Sequence, residues 1–139
     1  MLCKCKKRIT FVAMEKKIIR TDKAPSPIGP YNQAVQYGDT LYISGQIPLD
    51  PNSGELIQTN IQAETQCVMQ NLKAILNEAD MDFSNVLKTT IFLIDMGQFA
   101  QVNEIYGSYF AEGAPARETV QVSGLPKGVN VEISMIAAL

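Results

Sequence analysis

Val86-Leu87-Lys88-Thr89-Thr90-Ile91-Phe92-Leu93-Ile94 is the stretch from which the fold is read. It is rich in β-branched residues, no Gly or Pro interrupts it, and alternation divides it in two. Leu87, Thr89, Ile91 and Leu93 share one face. Val86, Lys88, Thr90, Phe92 and Ile94 share the other. Both faces are largely apolar, so a strand here must be covered on both sides. The rest of the chain has to supply that cover.

Two helical segments flank the strand. Thr59-Asn60-Ile61-Gln62 fits a capping box with Thr59 as N-cap and Gln62 at N3. Ile61, Val68, Leu72, Ile75, Leu76 and Ala79 then recur on one helix face. Cys67 sits beside that stripe and reads as a small core residue. After the strand, Asp95-Met96-Gly97-Gln98 repeats the capping pattern. Phe99, Val102, Tyr106, Tyr109 and Phe110 make a second buried stripe. Asn103 borders it, and an amide on a buried side must find partners. Residues 16–20 are a short strand. Ala34–Tyr37 and Thr40–Ser44 are two more, joined at Gly38-Asp39 as a hairpin. About six strands against two helices leave one sheet face without helical cover. Another copy of the chain is the simplest cover, so a homo-oligomer with sites at its boundaries is expected.

Toward the C-terminus stands Pro115-Ala116-Arg117-Glu118-Thr119-Val120-Gln121-Val122-Ser123-Gly124-Leu125-Pro126. Val120 and Val122 face one way; Thr119, Gln121 and Ser123 face the other, with Arg117 in their parity. Leu125-Pro126-Lys127-Gly128 is a turn. A further strand puts Val129, Val131, Ile133 and Met135 on one face, and Asn130, Glu132 and Ser134 on the other. A hairpin of these strands would bring Arg117 near Glu132, either as a surface ion pair or as the two halves of a site.

Composition narrows the chemistry. The 139 residues suit one domain. Residues 1–13 carry Lys4, Lys6, Lys7 and Arg8 and no acid, and read as a leader or upstream-start extension; 14–139 is the single domain. The remaining 8 basic groups face 14 acidic ones, a balance that disfavours phosphate-backbone binding. No apolar run approaches the roughly 20 residues of a membrane helix, so a cytoplasmic protein is expected. Cys3, Cys5 and Cys67 form no disulfide framework and Cys3-x-Cys5 lacks zinc spacing, so no metal is expected. The chain has no histidine. That excludes Ser-His-Asp and Cys-His triads, HExxH zinc sites and histidine-dependent nucleases. Catalysis would fall to carboxylates, Arg, Tyr, hydroxyls, backbone or bound water.

Two further segments carry chemistry. Ala24-Pro25-Ser26-Pro27-Ile28-Gly29-Pro30-Tyr31 is a stiff loop ending on an aromatic. Ser44-Gly45-Gln46 leaves its strand at a glycine that lets a ligand approach the backbone. With Ile28-Gly29-Pro30-Tyr31, Ser44-Gly45-Gln46-Ile47-Pro48, Phe99 to Tyr106, Pro115-Ala116-Arg117 and Leu125-Pro126 to Glu132-Ile133 in this order, the chain resembles the RidA/YjgF family from about Lys16 onward.

The resemblance implies a chorismate-mutase-like α+β fold, a six-stranded mixed sheet with two helices on one face. It implies a homotrimer with a central barrel and clefts between subunits. The implied activity needs no cofactor. It is hydrolysis of 2-iminobutanoate and 2-iminopropanoate, released by pyridoxal-phosphate-dependent dehydratases, to 2-oxo acids and ammonia. Arg117 would grip the substrate carboxylate and Glu132 would orient and deprotonate water. Tyr31 and Ser44 would line the cleft, Gly45 would offer a backbone N–H, Asn103 would hold the wall, and the Thr119 backbone would help hold substrate or water. Many members have cysteine where this chain has Thr119, which makes redox-switched chaperone behaviour doubtful here. The Ala111–Ala114 loop is short beside some members. Partners implied are a small 2-imino acid and further copies of the chain, with no membrane and no nucleic acid expected. Two other readings stay open: an endoribonuclease or translation inhibitor, and a non-catalytic trimer that binds small carboxylates.

Overall fold

The computed structural model describes residues 13–139. The leader assigned to residues 1–13, with Cys3 and Cys5, therefore lies outside the described residues save for Ala13. The strands are β1 Lys16–Ile19, β2 Ala34–Tyr37, β3 Thr40–Gln46, β4 Val86–Leu93, β5 Ala116–Gln121 and β6 Val131–Ala138. The helices are α1 Ile61–Glu78 and α2 Phe99–Gly107. The strands form one six-stranded mixed sheet in the order β1-β2-β3-β6-β4-β5. Among the described residues β4 and β5 pair in parallel and every other neighbouring pair is antiparallel.

β4, the opening stretch, lies between β6 and β5. Its helix-side face is Val86, Thr89, Ile91 and Leu93, all buried, whereas Leu87 is 56% exposed. Strict alternation puts Leu87 inside and Val86 outside. A bulge between Val86 and Lys88 reverses the two, because an extra residue in the ladder turns a side chain to the opposite face.

α1 begins one residue later than the capping box predicts. Asn60, not Thr59, is the N-cap, and its Oδ1 accepts the Ala63 N–H at 2.8 Å. Both residues are good caps, but only Asn60 reaches the N3 amide of the helix that forms. The predicted stripe of Ile61, Val68, Leu72, Ile75, Leu76 and Ala79 is buried, joined by Met69. It packs on Leu41, Ile43, Ile91, Ile133 and Met135. Each large side chain buried there stabilises the fold by roughly 1.5–3 kcal/mol. Cys67 is only half-buried and lies at the edge of this core.

α2 is short, and only Val102 and Tyr106 of its stripe are fully buried. Tyr109 and Phe110 pack partly on the core; Phe99 stands at its margin, 36% exposed. Asp95 caps the tight turn Met96–Gln98 through the Gly97 N–H at 2.8 Å, rather than α2 itself.

The expected hairpin of β5 and β6 does not form. The turn Pro126–Gly128 is present, but β4 is inserted between the two strands. A strand apolar on both faces needs neighbours on both sides, while the charged β5 suits the edge. Among the described residues the second sheet face carries no helix. There Ile18, Tyr42 and Val120 are 45%, 52% and 39% exposed. Val120 thus points to the open face, and Arg117 and Thr119, level with the buried Thr89 and Ile91, point to the helices.

Candidate active site

The sequence-predicted residues other than Thr119 line two pockets on opposite faces of the sheet. On the helix side, β5 lies beside β4 with Arg117 level with Thr89, which aims Arg117 at α2. Its Nη1 donates to Asn103 Oδ1 at 2.7 Å. The guanidinium carbon lies 5.0 Å from the Tyr106 ring centre and 5.5 Å from that of Phe99. Contacts of this kind contribute about 0.5–2 kcal/mol each, more as water is excluded. The Tyr106 hydroxyl bonds the Thr89 hydroxyl at 3.2 Å, fixing the ring. Burial pushes the Tyr106 phenol up; the Thr89 bond and the Arg117 charge oppose that. Arg117, Asn103 and Tyr106, with Gly107, Phe110, Ala114 and Pro115, line a cavity of about 370 Å³. Asn103 takes one of the five guanidinium donors, and a planar fork suits a carboxylate. Thr119 shares this sheet face, and its shielded hydroxyl has no hydrogen-bond partner among the described residues.

On the open side, Glu132, Tyr31, Ser44 and Gly45 line a second cavity of about 340 Å³ with Ile28, Ile47 and Pro126. Gly45 lies where the register of β3 against β6 shifts between Ile43 and Gln46. The Glu132 carboxylate lies directly over it: a Cβ at position 45 would overlap Glu132 Oε1 and sit 2.8 Å from Cδ. Burial is the single cause that pushes the Glu132 carboxyl above its ordinary value. Ser44 Oγ donates to the Asn32 carbonyl at 2.6 Å. The Tyr31 hydroxyl accepts the Ile28 N–H at 3.3 Å, folding the ring over its own loop. That loop is tied down by Gln33, which is 2% exposed. Its amide accepts the Thr21 N–H at 2.8 Å and donates to the carbonyls of Thr21, Ala24 and Pro25.

Within one chain, then, Arg117 joins Asn103 and shares a sheet face with Thr119, and Glu132 joins Tyr31, Ser44 and Gly45. The two groups do not meet, since β4 and the thickness of the sheet lie between them. Sequence reasoning missed the stacking of Phe99 and Tyr106 on Arg117, because the apolar period assigned both rings to the core. Their spacing around Asn103 was the available signal.

A larger cavity of about 490 Å³ lies elsewhere, between α1 and the 50–57 loop, beside Lys23, Asp50, Cys67 and Asn71. Burial, then the Asp50 charge, pushes the Cys67 thiol up to about 11 against a hydrogen bond from Asn71, so this thiol is a poor nucleophile. No group of metal-ligating residues occurs among the described residues, and no helix among them is long and apolar enough to cross a membrane.

Comparison with known proteins places the chain. The family profile named Endoribonuclease L-PSP matches residues 21–139. A mouse (Mus musculus) protein named 2-iminobutanoate/2-iminopropanoate deaminase is 52% identical over 122 residues, covering 88% of this chain and 90% of its own. The crystal structure of YyfA from Yersinia pestis, described as a protein of the conserved Rid family, is 45% identical with a TM-score of 0.88. That match covers 90% of this chain and 100% of the other. The structure of E. coli TdcF with bound serine is 40% identical with a TM-score of 0.85, covering 88% and 98% of the two chains. Its motifs, its sheet order and these likenesses agree: the chain belongs to the RidA/YjgF family.

Proposed function

We propose that the protein is a deaminase of reactive imines and enamines, acting on 2-iminobutanoate and 2-iminopropanoate. The observation that carries the reading is the division of labour between the pockets. A guanidinium is splayed against aromatic rings in one, and a carboxylate of raised proton affinity lies over a glycine in the other. Relatives at about half identity that carry the name 2-iminobutanoate/2-iminopropanoate deaminase support it.

The two pockets act together when copies of the chain assemble as a trimer through their open faces, forming a central barrel. The Arg117 pocket of one chain then faces the Glu132 pocket of the next. The exposed apolar side chains of the open face support this assembly. Arg117 binds the substrate carboxylate as a fork, and Asn103, Phe99 and Tyr106 hold the guanidinium for it. Tyr31, Ser44 and the Gly45 backbone line the far wall, and Thr119 offers its unpartnered hydroxyl from the Arg117 side. An enamine first tautomerises to the imine. Glu132, ionised, takes a proton from water as its oxygen bonds to the imine carbon; the C=N π pair moves to nitrogen, which receives a proton. In the collapse of the resulting carbinolamine Glu132 carries the hydroxyl proton to the nitrogen, the oxygen lone pair forms the C=O bond and the C–N bond breaks, releasing ammonia and leaving the 2-oxo acid.

A dehydratase-coupled assay of 2-oxo acid release tests this reading. Arg117→Ala and Glu132→Ala are each expected to lower kcat/KM by about 100- to 1000-fold, the range for removing a group that stabilises charge in a transition state. Variants as fast as wild type, or a wild type no faster than water, would sink it. The family name keeps an endoribonuclease reading in view. That reading requires RNA cleavage by the purified protein that Glu132→Ala abolishes.

A further inference from the structure

We infer that Glu64, a buried carboxylate on α1, is a positioning residue that fixes both pockets at once through Asn130. Glu64 is 1% exposed and lies in the first turn of α1, where the helix dipole favours an anion. Both of its oxygens grip one residue. Oε1 accepts the Asn130 backbone N–H at 3.1 Å, and Oε2 accepts the Asn130 Nδ2–H at 2.9 Å. The Asn130 carbonyl in turn accepts the Ile94 N–H at 3.1 Å. One residue is therefore held at its N–H, its side chain and its C=O.

From this node the chain runs to each pocket. Asn130 precedes Glu132 in β6 and follows the Pro126–Gly128 turn, whose Pro126 lines the Glu132 cavity. That turn carries Lys127 at φ 57° and Gly128 at φ 68°, and consecutive left-handed residues persist where their surroundings over-determine them. In the other direction, Ile94 leads into the Met96–Gln98 turn. Gln121 of β5 holds the Met96 N–H there at 2.8 Å. The turn opens directly into Phe99, the ring against Arg117. A shift of Asn130 would move Glu132 on one sheet face and the Phe99 support of Arg117 on the other. A buried carboxylate is weak as a source of stability. What it supplies here is a two-point contact that locks both the backbone and the side chain of one residue.

Asn130→Asp tests this, because it sets two carboxylates against each other at the 2.9 Å contact. The double variant E64Q/N130D restores the pair with donor and acceptor exchanged. In protein whose melting transition lies above the assay temperature, N130D should lower kcat about tenfold or more while KM moves less than about threefold. The double variant should recover to within about threefold of wild type. E64Q alone should stay near wild type, since the Asn130 amide can flip to keep both bonds, while Glu64→Ala should behave like N130D. A readout free of turnover accompanies these: the nitrogen resonance of Arg117 Nε and the carboxyl carbon resonance of Glu132 should both move in N130D and return in E64Q/N130D. The inference is overturned by a folded N130D with wild-type kinetics and unmoved resonances, or by a double variant as impaired as N130D. It rests on the deaminase reading only for the kinetic arm. If wild type has no deaminase activity, that reading fails, and the resonances alone decide whether Glu64 positions the two groups.

Discussion

Arg117 is held by what touches it: an asparagine oxygen at 2.7 Å and two aromatic rings about 5 Å away. Glu132 is held by what is missing beneath it, the side chain that glycine lacks at position 45. The first pocket keeps a charge in place with partners already present. The second raises the proton affinity of an acid by burial, with no opposing cation among the described residues. On the proposed function each pocket is half of an acid-binding, water-activating centre; the two open on opposite faces of one sheet. The difference teaches that one chain does not bring the two groups together; on the proposed function the chemistry needs a second chain, and damage to assembly should mimic damage to either half.

The largest effect should come from breaking assembly. Tyr42→Lys places a charge on the open face, at a side chain 52% exposed in the single chain. Buried against a second copy, an unpaired charge costs several kcal/mol. Sedimentation should therefore show dissociated chains, and turnover should fall by at least about 100-fold. A dissociated Tyr42→Lys variant with full turnover would mean that one chain suffices.

Next comes the glycine. In Gly45→Ala the added Cβ must push the Glu132 carboxylate aside. A displacement of about 1 Å costs on the order of 100-fold in rate, while the Arg117 pocket, on the other face, should keep its affinity for a 2-oxo acid. Wild-type kcat in this variant would show that the carboxylate does not need the position it occupies.

The smallest effect is in proton affinity, and it sharpens the comparison most. Burial raises Glu132 above its ordinary value of 4.5. A base must be ionised, so kcat/KM should fall as pH drops through the raised value. For stability the sign is opposite: the folded state holds this proton more tightly than the unfolded state. Its contribution is therefore fully present below 4.5 and is lost as pH rises from 4.5 through the folded value. A facing guanidinium would pull Glu132 back down, so Arg117→Gln should move its titration upward, read from the carboxyl carbon resonance. An unchanged midpoint would mean that the two groups are not neighbours in the assembly.

The single-chain sequence made much of this legible. Apolar residues on both faces of Val86–Leu93 showed that the sheet needs two covers, and helical periodicity located one of them. Position in the sheet was harder. Turn chemistry at Leu125-Pro126-Lys127-Gly128 is local, and it predicts a hairpin. Insertion of β4 between β5 and β6 is set by long-range burial, which outweighs it. The bulge at Val86–Lys88 was invisible for the same reason, since only its partner strand defines an extra residue. Residue types in the pockets were readable because Arg, Glu, Tyr and Gly carry their chemistry with them. Which face each would take was not readable, because β5 is an edge strand whose polar side lies beneath the short α2.

The most direct measurement mixes two disabled proteins. Arg117→Ala and Glu132→Ala chains, unfolded and refolded together in equal amounts, would form trimers of random composition. If each centre takes its arginine from one chain and its carboxylate from the next, about a quarter of the centres carry both native groups. Deaminase activity should return to roughly that fraction of wild type, although each variant refolded alone stays near the background. Mixtures as inactive as the separate variants would contradict the shared centre and, with it, the functional reading built on it.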